Sequence, residues 1–224
     1  MTGDKPTDRD IDYSAIAAQL AKPTGADGLL VAQRMNQSNG EMTRKAIELL
    51  HCQAGQHILE IGPGNAQFAG YVLQQAENLH YAGTDISETM IAEGLRINQQ
   101  EVLSGKVSLQ KTDGSHLPYP DQTFDSVFSV NTIYFWENPD QFIREIHRVL
   151  RNGGLCCLAF ASREFMQTLP FTDGRFKLYN KEEVETLLKN NGFRLLDSHT
   201  RIHKTTSAAK IELDREEIFV QATV

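Results

Sequence analysis

Cysteine is scarce in this sequence, which has three among 224 residues, at Cys52, Cys156 and Cys157. Two of them are adjacent, and none lies in a C-x-x-C pair or in a cluster with histidine. This spacing excludes a disulfide framework and a standard structural zinc site. We therefore expect no bound metal, and unpaired thiols of this kind fit the reducing cytoplasm.

Basic residues are outnumbered, and long apolar runs are missing. Lys and Arg total 22 against 29 Asp and Glu, which gives a formal net charge of −7. Nucleic acids and anionic membranes both attract clustered Lys and Arg, so this balance argues against either as the main partner. No apolar run approaches the ~18 residues that cross a bilayer. The polar start of the chain, MTGDKPTDRD, also lacks the apolar core of a secretory signal.

The remaining composition is that of a globular domain whose apolar runs alternate with helical patterns. Hydrophobic residues make up 40% and charged residues 23% of the chain, and a chain of this length can bury a substantial core. Strands are predicted at 57–61, 80–85, 106–113, from 124 onward, and at 155–161, 193–202 and 216–224. Helices are predicted at 66–76, 87–100, 139–150 and 181–191, and the stretch 162–179 is expected to be irregular.

This alternation predicts an α/β fold with a doubly wound, seven-stranded sheet that is mostly parallel. A polar link without a helix pattern joins the last two strands, so the final strand is expected to be antiparallel. Ahead of the sheet, helices are predicted at 14–22, 28–38 and 42–51. We therefore divide the chain into 1–44, an N-terminal tail and helical cover, and 45–224, the domain that contains the sheet.

The strongest functional signal follows the first strand, in the run LEIGPGNA (59–66). Gly62 and Gly64 carry no Cβ, so the backbone at this turn can approach a ligand closely. The alternative is a simple strand-to-helix turn that contains two glycines. The dinucleotide fingerprint G-x-G-x-x-G fails, because Gln67 stands at its third glycine position, and there is no Walker A lysine.

The order and spacing of several motifs resemble the class I S-adenosylmethionine-dependent methyltransferases, of the small-molecule, UbiE-like type. The pattern Glu-x-Gly-x-Gly from Glu60, with Asp85 ending the next strand, is similar to motifs I and II of that family, and the resemblance continues through 112–114, 124–131 and 147–154. Two departures are Ala66 at the usual third glycine and Asn152 at a usual proline. The resemblance implies a Rossmann-like fold with S-adenosyl-L-methionine as the cofactor.

The resemblance also implies roles for individual residues. Glu60 would meet the ammonium of the cofactor, Asp85 the ribose hydroxyls and Asp113 the adenine amino group. A plain turn at Asp113 and a core position for Met90 are the alternatives. The implied cofactor-binding residues are Glu60, Gly62, Pro63, Gly64, Asn65, Asp85, Ile86, Met90, Asp113, Gly114 and Asn131.

The implied activity is transfer of the methyl group to a small-molecule acceptor by in-line displacement, in which the enzyme positions the two partners and excludes water. The predicted acceptor pocket contains Met35, Asn36, Tyr134, Trp136 and Phe171. Tyr134 is the candidate catalytic residue, as a polar contact or base, and an ordinary packing role is its alternative. Two other functions remain open, namely a methyltransferase-like subunit that binds a cofactor or partner without turnover, and an NAD-dependent oxidoreductase. The acceptor atom, the pathway and the oligomeric state are not specified by the sequence.

Overall fold

The computed structural model describes residues 12–172, 174–206 and 212–224, and a single sheet is its central feature. The seven strands are β1 His57–Ile61, β2 His80–Asp85, β3 Val107–Lys111, β4 Phe124–Val130, β5 Leu150–Ala161, β6 Arg194–Thr206 and β7 Glu212–Thr223. Their order across the sheet is β3-β2-β1-β4-β5-β7-β6. Neighbouring strands are parallel except β7, which runs antiparallel to both β5 and β6. The predicted α/β sheet with an antiparallel final strand is confirmed.

Eight α-helices surround the sheet in the described ranges. They are α1 Tyr13–Ala21, α2 Gly25–Glu48, α3 Ala69–Leu73, α4 Glu88–Ile97, α5 Gln99–Leu103, α6 Pro139–Val149, α7 Arg163–Met166 and α8 Lys181–Asn190. Local sequence explains several helix starts, because Ser87 and Asn138 accept hydrogen bonds from the first turns of α4 and α6, and Asn180 forms a capping box with Glu183. No helix in these ranges is long and apolar enough to cross a membrane.

The cover contains one long helix where the sequence predicted two. The prediction left residues 39–41 between the helices 28–38 and 42–51, yet α2 continues through them. A glycine within a helix costs only about 1 kcal/mol, and Gly40 is buried at a point where an added Cβ would lie 3.4 Å from Cζ of Phe68, an ordinary contact distance. The predicted division between 44 and 45 falls inside α2 and stays a prediction.

Two other boundaries differ from the prediction for identifiable reasons. The helix predicted at 66–76 is only α3, because Ala66 has φ 52° and so lies outside the right-handed helical region. Strand β5 begins at Leu150, where it pairs with Phe124 before an irregular step in register. The short helix α7 lies within the stretch 162–179 that was expected to be irregular.

The sheet separates two hydrophobic cores. On one face, Ile143 of α6 and Leu188 of α8 are fully buried. On the other, Ile47 of α2 and Val72 of α3 are fully buried. Helices on both faces of a mostly parallel sheet leave the carboxyl ends of the strands as the edge where a ligand can bind.

The adjacent cysteines belong to different cores. Cys156 is in the core under α6 and α8, whereas Cys157 is in the core under α2 and α3, as expected for consecutive residues of a strand. Both are fully buried free thiols, and burial raises the pKa of Cys157 to about 12. Both residues therefore act as small core side chains.

Candidate active site

A cavity of about 320 Å³ lies at the carboxyl ends of β1, β2 and β4, under α2. The structure brings every residue predicted to bind the cofactor to the wall of this cavity. They are Glu60, Gly62, Pro63, Gly64, Asn65, Asp85, Ile86, Met90, Asp113, Gly114 and Asn131. Three residues of the predicted acceptor pocket, Met35, Asn36 and Trp136, line it as well.

The two glycines of the turn after β1 serve different purposes. Both have positive φ, 68° at Gly62 and 56° at Gly64, a region that glycine adopts most readily. A Cβ at Gly62 would lie 2.4 Å from Cγ2 of Thr132, so this glycine is required by packing. A Cβ at Gly64 would meet nothing nearer than the sulfur of Met90 at 4.0 Å. Only Gly64 therefore leaves backbone open toward the cavity.

Glu60 is a buried carboxylate at the end of β1. It is 5% exposed, and its Oε2 accepts a hydrogen bond of 2.6 Å from the hydroxyl of Tyr81. Burial raises the pKa of Glu60 to about 7, although the Tyr81 hydrogen bond opposes the shift. A buried carboxylate with one donor is stabilised by a cation. The ammonium group of S-adenosylmethionine is such a cation, so this residue fits the implied cofactor.

Asp85, at the end of β2, connects its strand to the glycine turn. Oδ2 accepts from the backbone N–H of Gly64 at 3.0 Å, and Oδ1 accepts from the backbone N–H of Ser87 at 2.8 Å. Burial raises the pKa of Asp85 to about 6 despite these hydrogen bonds. Each carboxylate oxygen has a second lone pair. The pair of oxygens can therefore accept hydrogen bonds from two neighbouring hydroxyls, as the two hydroxyls of a ribose require.

Asp113 lies in a loop after β3 and is exposed. Its Oδ1 accepts from the backbone N–H groups of Ser115 and His116, at 2.8 and 3.0 Å. These hydrogen bonds hold the pKa of Asp113 below its usual value. The residue thus forms the turn that the sequence offered as an alternative.

The loop that carries Asp113 is fastened to α6. Arg148 donates to the carbonyl oxygens of Leu117 and Tyr119, at 3.0 and 2.8 Å. Glu145 accepts from the backbone N–H of Leu117 at 3.0 Å and from Arg148 at 2.8 Å. One arginine and one glutamate of α6 therefore position this side of the cavity.

The cover is hydrogen-bonded to the floor of the cavity at three places. Nδ2 of Asn36 in α2 donates to Oδ1 of Asn65 in the glycine turn, at 3.0 Å. Oγ of Ser87 bonds to the carbonyl oxygen of Pro23. The backbone N–H of Gly25 donates to Oγ1 of Thr89 at 3.2 Å. Helix α2 is therefore tied both to the turn and to the start of α4.

Two predicted acceptor residues, Tyr134 and Phe171, do not line the cavity. Tyr134 is 3% exposed, and its hydroxyl bonds to the backbone of Ala161 and to Oδ1 of Asn131. Burial raises the pKa of Tyr134 well above its ordinary value. This geometry argues against the predicted base and for the packing alternative, because the hydroxyl is already paired and does not reach the cavity.

Phe171 is separated from the cavity by two other aromatic rings. Its ring centroid is 6.2 Å from that of Phe176, which in turn lies 4.8 Å from that of Phe135. Phe135 lines the cavity. Phe171 therefore supports the wall through intervening rings.

Several lining residues were not predicted as site residues. They include Thr43, Phe68, Thr84, Gln141 and Phe142. Phe142 belongs to the apolar stripe of α6, and nothing in the sequence separates it from its core neighbours. Gln141 lies in the first turn of α6, after the Asn138 cap. It reaches the cavity because of where the fold places the start of α6, which the sequence alone does not show.

Comparison with known proteins gives a consistent result. Residues 59–158 match the family described as a methyltransferase domain. The O-methyltransferase resE of Aspergillus sclerotiorum is 27% identical over 172 residues, which cover 74% of this chain and 65% of that protein. The demethylmenaquinone methyltransferase of Bacteroides fragilis is 33% identical over 111 residues, which cover 50% of this chain and 45% of that protein. The chain thus spans less than two thirds of the length of either relative.

Solved structures share the fold at lower identity. A methyltransferase from Aquifex aeolicus described as S-adenosylmethionine-dependent superposes with a TM-score of 0.64 at 19% identity, over 96% of this chain and 100% of that one. This likeness confirms the Rossmann-like architecture.

Proposed function

We propose that this chain, whose residues 59–158 match the family described as a methyltransferase domain, is a class I S-adenosylmethionine-dependent methyltransferase that binds S-adenosyl-L-methionine in the cavity under α2 and transfers its methyl group to a small-molecule acceptor. When bound, this cofactor supplies a methyl group made electrophilic by the sulfonium. The protein acts by holding the acceptor in line with that group and excluding water.

The observation that carries the proposal is the convergence of three kinds of group on one cavity. Glu60 offers a buried carboxylate, Asp85 offers a pair of hydrogen-bonded oxygens, and Gly64 offers unobstructed backbone. S-adenosylmethionine contains a cation, a vicinal diol and an extended polar chain, which match Glu60, Asp85 and Gly64 respectively. Loop 112–115, which also lines the cavity, is the proposed adenine side.

A small acceptor is supported by the rest of the cavity wall. Met35 and Asn36 of α2 line the cavity together with Phe135 and Trp136, which follow β4. These residues give apolar and aromatic surface with a few amide groups, as small-molecule sites usually have. The names of the two curated relatives describe one as an O-methyltransferase and the other as acting on demethylmenaquinone. The three free thiols support a reducing, cytoplasmic location as part of the proposal.

The test is an assay of the full chain with S-adenosylmethionine carrying a labelled methyl group and a library of small-molecule acceptors, followed by mass spectrometry. We expect S-adenosylhomocysteine to form together with one methylated product, and Asp85→Ala to abolish both. Binding of the cofactor without transfer to any acceptor would identify a non-catalytic cofactor-binding subunit. Retention of NADH in place of the methyl donor would support the oxidoreductase alternative.

A further inference from the structure

We propose that Asn131 is held as a hydrogen-bond donor in the wall of the cavity, and that the acceptor presents an oxygen to it, as a hydroxyl or its oxyanion, and not an amine. This inference rests on the proposed function and names the substrate class of the same site. Its basis is the way in which neighbouring groups occupy one end of the Asn131 amide and leave the other end to the cavity.

The position of Asn131 is set by the sheet. Strands β1 and β4 pair in parallel with Ile61 opposite Ser129, so Asn131, two residues further along, lies beside the glycine turn. Its backbone N–H donates to the carbonyl oxygen of Ala159 at 2.9 Å. Asn131 has φ 57°, in the left-handed region that asparagine tolerates better than most residues. The chain thus turns sharply here and places the side chain in the cavity wall.

The orientation of the side-chain amide is fixed by two donors. Oδ1 of Asn131 lies 3.1 Å from two donors, the backbone N–H of Ala161 and the hydroxyl of Tyr134. Both donors are shared, because the Ala161 N–H also faces the Tyr134 oxygen at 2.6 Å and the Tyr134 O–H also faces the carbonyl oxygen of Ala161 at 2.9 Å. The N–H of Ala161 can only donate, so the atom that faces it must be the amide oxygen. Nδ2 is then the free end, and it makes no hydrogen bond to any described residue.

An amide nitrogen donates and cannot accept a hydrogen bond. An amine has a single lone pair, which must point at the methyl carbon, so only its N–H groups remain to face Nδ2 and two donors oppose each other. A hydroxyl oxygen or oxyanion would accept from Nδ2, and a donor at this point stabilises the negative charge and lowers the pKa of the acceptor hydroxyl. Asn131 therefore favours acidic hydroxyl groups such as phenols and enols.

The transfer step balances without a further reactant. The hydroxyl proton passes to water, a lone pair of the oxygen forms the bond to the methyl carbon, and the carbon–sulfur bond breaks with its electron pair going to sulfur. The positively charged sulfonium becomes a neutral thioether, and the products are a methyl ether, S-adenosylhomocysteine and one proton. Tyr134 takes no part in the chemistry and serves as a positioning residue for Asn131.

The experiment uses the full chain saturated with S-adenosylhomocysteine and two probes of matched shape, 4-nitrophenol and 4-nitroaniline. Their dissociation constants are measured for wild type, for Asn131→Asp and for Asn138→Asp. The Asn138 variant is a matched control, because it adds the same charge to the wall of the same cavity and because aspartate caps α6 as well as asparagine does.

We expect wild type to bind 4-nitrophenol about tenfold more tightly than 4-nitroaniline, the effect of one favourable hydrogen bond. Asn131→Asp should lose this preference and Asn138→Asp should keep it. Equal affinities, a reversed preference, or no measurable binding of either probe to the loaded wild type would overturn the inference. Failure of wild type to bind S-adenosylhomocysteine would instead overturn the proposed function on which the inference rests.

A spectroscopic measurement tests the positioning role of Tyr134. The absorbance of bound 4-nitrophenol reports its ionisation, and in the wild-type complex it should ionise at a lower pH than in Tyr134→Phe, where Asn131 loses one of its two donors. The Phe variant should keep its affinity for S-adenosylhomocysteine, since Tyr134 lies outside the cavity. An unchanged ionisation midpoint in Tyr134→Phe would contradict this role.

Discussion

Glu60 and Asp85 give the cavity its response to pH. Burial raises the pKa of Glu60 from 4.5 to about 7 and that of Asp85 from 3.8 to about 6. In the absence of ligand the folded protein therefore keeps protons, between about pH 4 and pH 7, that the unfolded chain has released. These two groups consequently lower the stability of the ligand-free protein as the pH rises through that window.

Cofactor binding should have the opposite dependence on pH. The charged forms of both carboxylates bind the cationic and hydroxyl groups of the ligand, so affinity for S-adenosylmethionine should increase as the pH rises from about 5 to about 8. Glu60→Gln should weaken binding and flatten the upper part of this dependence. Calorimetric titrations across the pH range measure both effects, and a dissociation constant independent of pH in wild type would contradict the assigned roles.

The hydrogen bonds of Asp85 should contribute to ligand affinity beyond the effect of its charge. In Asp85→Asn, one of the backbone donors of Gly64 and Ser87 would face an amide N–H group, and the ligand would lose a charged acceptor. Because hydrogen bonds to charged groups contribute about 1.5–3 kcal/mol, affinity for S-adenosylhomocysteine should fall roughly 10- to 100-fold. Asp27 is exposed, so Asp27→Asn is the control for loss of charge. Equal affinities in the two variants would refute the assignment of Asp85 to the ribose hydroxyls.

At the scale of single residues, all of the residues predicted for the cofactor line the cavity, whereas Tyr134 and Phe171 of the predicted acceptor pocket do not. Gly64 and Asp85 belong to one strand-helix-strand unit, and they are joined by a hydrogen bond within it. Residues close together in the sequence therefore determine the geometry of the turn at 59–66. The hydroxyl of Tyr134, in contrast, is paired with Ala161, which lies 27 residues away at the end of β5. No local pattern shows that the Tyr134 hydroxyl is already paired, so its burial could be found only in the structure.

At the scale of secondary-structure elements, helix α6 offers a matched pair of arginines for testing the loop that carries Asp113. Arg148 holds the backbone of Leu117 and Tyr119, whereas Arg144 donates to Oδ1 of Asn191 at 2.9 Å, beyond α8. Arg148→Met should weaken binding of S-adenosylhomocysteine severalfold, because the loop loses its anchor. Arg144→Met should leave the dissociation constant unchanged.

The readouts for this pair are calorimetric affinity and the urea midpoint of unfolding. Both variants should lose about 1–2 kcal/mol of stability, since each removes a hydrogen-bonded guanidinium. Only the difference in affinity is specific to the loop. If Arg148→Met binds as tightly as Arg144→Met, the loop is positioned by other contacts.

Element boundaries were predictable where caps are local and unpredictable where tertiary contacts override them. The helices predicted at 87–100 and 181–191 begin where α4 and α8 do, and Ser87 and Asn180 cap these starts. Gly40 did not end α2, because a helical glycine costs only about 1 kcal/mol and residues on both sides of it are buried. The fold class followed from the alternation of elements, whereas the length of α2 depends on tertiary packing of its buried face.

At the scale of the whole molecule, a buried ionic cluster joins the cover to the last strands. Glu217 is fully buried and pairs with Arg215 and Arg201, each at 2.6 Å. Arg215 also donates to the carbonyl oxygen of Ser38 at 2.8 Å and to Oδ1 of Asn39 at 3.1 Å. One strand of the sheet thereby fixes the middle of α2, and Asn39 is itself part of the cavity wall.

Removing the charge of Glu217 should be costly. In Glu217→Gln the guanidinium of Arg215 is buried without a countercharge, so the free energy of unfolding should fall by roughly 3 kcal/mol. Its neighbour Glu216, half-buried on the opposite side of β7, is the control, and Glu216→Gln should change stability by less than about 0.5 kcal/mol. Urea denaturation of both variants decides the matter, and equal losses would show that the cluster contributes nothing specific.

The most direct test of the whole account is calorimetric titration of the full chain with S-adenosylmethionine near neutral pH. If the cavity at the ends of β1, β2 and β4 binds this cofactor, the titration should show a single site with a dissociation constant in the micromolar-to-millimolar range. The site should be lost in Asp85→Ala while the variant remains folded. No heat of binding in the wild-type protein, or undiminished binding in Asp85→Ala, would contradict the central claim.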